Sequence, residues 1–116
     1  MKIAMIIVSS FLTVAALASA SAKLRKVPAV VEGMTHVGVE ENQIPLLALL
    51  EIAGGVGLLI GFATSLLGRL AAAGLVLYFL GAVVAHLRVK DRVKVFAPAA
   101  LLFVVSVATL ILEVAR

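Results

Sequence analysis

The chain has 116 residues, 64% of them apolar and 14% charged, with a formal net charge of +4. Soluble chains average about 45–50% apolar and about 25% charged residues, and a domain this short has too little interior to hide the surplus. A water-soluble enzyme is excluded. With no cysteine, so are disulfides, thiolate metal sites, iron–sulfur clusters and thiol redox chemistry on this chain.

Four apolar stretches, residues 3–22, 44–62, 70–87 and 95–112, hold 18 to 20 residues each. At about 1.5 Å per helical residue, each reaches roughly 27–30 Å, enough to cross the hydrocarbon layer. Of ten basic and six acidic residues, one, Glu51, falls inside a stretch. A random scatter would place about ten there, at ~2.5–3.5 kcal/mol each near mid-bilayer. The pattern predicts an all-α integral membrane protein with four spans forming a single domain, residues 1–116.

The first span opens after Lys2 and ends in Ala18-Ser19-Ala20-Ser21-Ala22, a tail that resembles a leader peptide with a small-residue cleavage site. Its apolar core exceeds the usual 7–15 residues of a leader, and small residues also suit close helix packing. A retained transmembrane helix is expected.

The loop 23–43 carries Val27, Val30, Val31 and Met34 at i, i+3, i+4 and i+7, behind Pro28. That spacing makes one face of a short helix lying in the headgroup region, with Glu32 and Thr35 off the face and Gly38 in the following turn. Such a helix would lie as a lid over one end of the bundle.

For the second span, Asn42 is the expected cap and Pro45 occupies the first turn. Glu51 follows six residues later, about 9 Å into the membrane. Behind it come Gly54, Gly55, Gly57 and Gly61. In the third span Gly74 and Gly81 are seven apart, and Tyr78, Ala82 and His86 share a face. Gly54, Gly57, Gly61, Gly74 and Gly81 are expected to pack helices closely, within the chain or between copies. Pro98 is expected in the opening turn of the fourth span. Short connections make neighbouring spans antiparallel, which predicts an up-down four-helix bundle.

Lys2, Arg69 and Arg116 lie on one side of the membrane. Lys23, Arg25, Lys26, Arg88, Lys90, Arg92 and Lys94 lie on the other. By the positive-inside rule the longer loops face the cytoplasm and both termini face outward. The basic run around Arg88–Lys94 is read as meeting anionic headgroups rather than nucleic acid.

An ionised carboxylate facing lipid is costly, so Glu51 should turn inward and find a partner or hold a proton. Chain topology delivers Lys23, Glu51 and His86 to the same end, beneath the loop helix that carries His36. These four residues and Tyr78 are the candidates for binding a ligand or partner. The bland alternatives are a Lys23–Glu51 pair that only ties two helices, a Lys23 that snorkels to the headgroups, a Tyr78 that only packs, and a His86 that only meets the last carbonyls of its helix. Two histidines without cysteine do not make a metal cluster. No phosphate loop, haem ligand pair or Ser/His/Asp set is present. No catalytic residue is assigned.

Lys23-Leu24, Val30-Val31-Glu32-x-Met34-x-His36-Val37-Gly38, Leu50-Glu51-Ile52-x-Gly54, Arg69-Leu70 and Gly81-Ala82 with His86 follow one another in an order that resembles the DoxX-like family of small four-span membrane proteins. The resemblance covers roughly residues 15–110. It implies a four-helix bundle in the cytoplasmic (inner) membrane. Some relatives are membrane subunits of thiosulfate:quinone oxidoreductase or partners in membrane redox complexes. The chain lacks the aromatic-rich loop common among relatives, and it has no tryptophan. The expected role is an accessory subunit or adaptor in the bilayer, more an anchor than an enzyme by itself. It would bind no cofactor alone, would bind a lipid or quinone at its cytoplasmic end, and would partner another membrane protein, a redox-complex subunit or a second copy. The competing expectation is a small proton-coupled transporter that uses Glu51.

Overall fold

The computed structural model describes residues 2–115, with only the backbone described over 93–95. It is all-α: α1 (Lys2–Leu24), α2 (Pro28–His36), α3 (Ile44–Gly61), α4 (Ser65–Arg88) and α5 (Val93–Ala115), with a 3₁₀ turn at Glu41–Gln43 before α3. Helices α1, α3, α4 and α5 are long and apolar enough to span a membrane, and the body is 39 Å long. The chain is a multi-pass membrane protein built as an up-down bundle. Each long helix packs beside the next, and α5 returns to α1 to close the ring.

The core is Leu12, Leu58, Ala71, Ala72, Leu75 and Phe79. Polarity is inverted relative to a soluble bundle. Leu46, Leu49, Leu66, Leu70, Leu77, Val104 and Ile111 point outward, while Ser9, Thr13, Ser106 and Thr109 are buried. Ser106 and Thr109 donate back to the carbonyls of Leu102 and Val105 at 2.7 and 2.8 Å, so their hydroxyls are satisfied within the helix.

Three helices end in the same way. After α1, Val27 N–H donates to Ala22 and Lys26 N–H to Lys23. After α2, Val39 donates to Met34 and Gly38 to Thr35. After α4, Asp91 donates to His86 and Lys90 to Leu87. These are Schellman ends, which need one residue in the left-handed region. Gly38 supplies it at φ +95°, Lys26 at +53° and Lys90 at +58°.

Several boundaries differ from expectation. Helix α4 begins at Ser65 rather than at residue 70, which brings Arg69 inside the helix. Helix α5 begins at Val93, so Pro98 lies inside it, a turn deeper than the opening position, where the missing donor is least costly. Asn42 does not cap α3. It sits within the 3₁₀ turn, and the Glu40 amide donates to Gln43 Oε1 at 3.2 Å.

Candidate functional site: a cavity with a polar end

Helix α1 terminates beside α3, and its last turn carries Lys23, a cation where helix carbonyls are unpaired. Lys23 Nζ donates to Glu51 Oε1 at 2.6 Å and to Ser19 Oγ at 2.7 Å, and Ser19 Oγ donates to the same carboxylate oxygen at 3.2 Å. Ser19 stands one turn before Lys23, so the two reach Glu51 together. Glu51 is 0% exposed and Lys23 7%. From α4, Tyr78 approaches the same carboxylate, and the ammonium lies 5.9 Å from its ring centroid. The buried Lys23 and Glu51 and the half-buried Tyr78 thus form one group on three helices, with the half-buried Ser19 added by the structure.

His86 is at the same end of the bundle but bonds to a different acid. Its Nδ1 lies 2.7 Å from Asp91 Oδ2, while His36 Nε2 lies 2.8 Å from Asp91 Oδ1. The Schellman end of α4 folds the chain back so that Asp91 meets His86, five residues earlier. Phe96 stacks on the His86 ring, with centroids 6.1 Å apart. Hydrogen bonds from His86 first, and then from His36, hold the Asp91 carboxyl below its ordinary 3.8. Asp91 was not among the sequence candidates, because an acid in a basic loop reads as a solvated charge.

Beside these polar groups runs a groove of about 900 Å³ that is open along its outer side. Its polar end is formed by Ser19, Lys23, Tyr78 and His86, and Met34 of α2 and Val37 just after it border it. The remainder is apolar and extends along α3 and α4, past the outward-facing Leu50, Leu70 and Leu77, to Leu102 of α5, so the groove opens on the membrane-facing surface. Tyr78, Ala82 and His86, which share a helix face, all line it. Asp91 and His36 stand behind that lining.

The glycines divide into two sets. A Cβ on Gly54 would meet the Leu75 side chain, one on Gly57 would meet Ala71 Cβ at 2.8 Å, and one on Gly61 would meet Gly68 Cα at 2.5 Å. These let α3 and α4 approach closely. Gly74 and Gly81 have open space where a side chain would stand, so they make no close helix contact within the chain; they line the groove, as Gly54 and Gly57 also do.

The opposite end carries a second fully buried carboxylate, Glu113, against the backbone of Gly68. Arg69 Nε donates to the Glu113 carbonyl and Nη2 to that of Val114, both at 3.4 Å, closing the end of α5. Glu113 escaped notice because it falls one residue beyond the fourth apolar stretch.

A family model described as the DoxX-like family matches residues 7–109, nearly the whole chain. No curated protein and no solved structure matches it.

Proposed function

The chain belongs to the DoxX-like family, and from that premise we propose that it is a small membrane subunit or adaptor that holds an amphipathic ligand, a lipid or a quinone, at its loop end. The observation that carries this reading is the cavity. Its volume of about 900 Å³ falls within the roughly 300–1,000 Å³ typical of ligand sites. Its chemistry is divided, with apolar walls along α3 and α4 and polar groups from Ser19, Lys23, Tyr78 and His86 gathered at one end. A tail would lie along the leucines and a head would rest among the polar groups. The basic loops lie at that end, which by the positive-inside rule favours the cytoplasmic leaflet for it. The adaptor role rests on the family resemblance to membrane redox subunits. A transporter that loads protons on Glu51 is less favoured, because Glu51 Oε1 is already held by Lys23 Nζ and Ser19 Oγ.

Native mass spectrometry on protein purified in mild detergent tests the ligand. The parent is expected to retain a membrane lipid or an added short-tailed ubiquinone. Gly81→Leu, which fills open cavity space, is expected to lose it. A parent that carries neither, or a variant that binds both as well, overturns the reading. Co-purification with a larger membrane protein tests the adaptor role; a chain that always purifies alone counts against it.

A further inference from the structure

We propose that Asp91, which does not line the cavity, is the positioning residue of the site: it leaves only His86 Nε2 free for the ligand's head and latches α2 across the mouth. The inference rests on the cavity being a ligand site, and it adds how the head is recognised and enclosed.

A carboxylate only accepts hydrogen bonds. Asp91 Oδ2, 2.7 Å from His86 Nδ1, therefore holds the neutral ring as its Nδ1–H tautomer. Nε2, the one ring nitrogen left for the cavity, is then an acceptor. Phe96 stacked on the ring further fixes its plane. A hydroxyl can donate to this nitrogen or accept from it, so the ligand class is an amphiphile with a hydroxyl-bearing head, such as a quinol or a hydroxylated lipid head.

The other carboxylate oxygen holds the lid. Helix α2 buries no residue fully. It rests on the end of α1 and on the 3₁₀ turn, and it is set between two left-handed residues, Lys26 and Gly38. Met34 on its inner face and Val37 at its C-cap line the groove, while His36 reaches across to Asp91 Oδ1 at 2.8 Å. One carboxylate thus joins the ring that meets the ligand to the helix that covers it.

Both halves can be read without ligand, so their failure is separable from a failure of binding. The chain has two histidines, and ¹⁵N spectra of the full protein in micelles at alkaline pH report each tautomer. The parent is expected to show His86 as Nδ1–H and His36 as Nε2–H, and Asp91→Ala to move His86 to the Nε2–H form favoured in water. For the lid, Ala85→Cys introduces the sole thiol, at the cavity wall. Its labelling by a water-soluble maleimide is expected to rise about tenfold with Asp91→Ala or His36→Ala. Because the His36 side chain is 56% exposed, His36→Ala keeps the lid test valid even if Asp91→Ala does not fold. A parent His86 already in the Nε2–H form, or labelling unchanged by His36→Ala, overturns the proposal.

Discussion

Lys23 Nζ sits 2.6 Å from Glu51 Oε1, and both residues are buried. The pair bridges the end of α1 to the interior of α3, which makes Lys23 part of the bundle rather than a headgroup anchor. Removing one partner strands the other charge. Glu51→Leu is expected to leave membrane insertion intact and to lower stability by about 3 kcal/mol. Adding Lys23→Met should recover most of that loss. Unfolding curves in mixed micelles would show it; a double variant as weak as the single one would rule out the pair as the cause.

Gly61 and Gly68 set the separation of α3 and α4. Gly61→Ala would bring a methyl to 2.5 Å from Gly68 Cα, backbone against backbone, and should cost about 1–3 kcal/mol. Gly74→Ala, with open space around it, should instead stabilise by about 0.5–1 kcal/mol through helix propensity. Opposite signs in thermal midpoint are the expected result.

The Asp91 carboxyl titrates below its ordinary 3.8 when folded, because His86 and His36 donate to it. A depressed acid stabilises the fold above its unfolded value, and that stabilisation is lost as pH falls through its folded value. The midpoint difference between the parent and Asp91→Asn should therefore contract on acidification from about pH 5. A difference that widens over that range contradicts the assignment.

Lys and Arg stand three against seven across the two sides, and the positive-inside rule predicts from this that the termini lie outside. The chain has no native thiol, so single cysteines report sidedness cleanly. Ala63→Cys, between α3 and α4, should react with an impermeant maleimide on intact cells, and Val89→Cys should react only after lysis. The reverse pattern would invert the topology.

The four spans were legible because hydrocarbon rejects charge, and the excluded residues outline each helix. The α2 face was legible for a similar reason: Val27, Val30, Val31 and Met34 are half-buried, and Glu32 and Thr35 are exposed. Glu51 and Lys23 were paired by depth alone. Asp91 was hidden because its partners are fixed by a chain reversal that uses Lys90 in the left-handed region, where glycine or asparagine would be the usual signal. Nothing local separates Gly57, which touches Ala71, from Gly81, which borders space. That difference depends on how α3 and α4 cross.

The buried ion pair also bears on how the protein enters the bilayer. Synthesis runs from the N-terminus, so Lys23 is emplaced at its leaflet before Glu51 emerges 28 residues later. The acid therefore arrives in hydrocarbon with its counter-ion already waiting at the right level, and the second span never has to lodge a solitary charge.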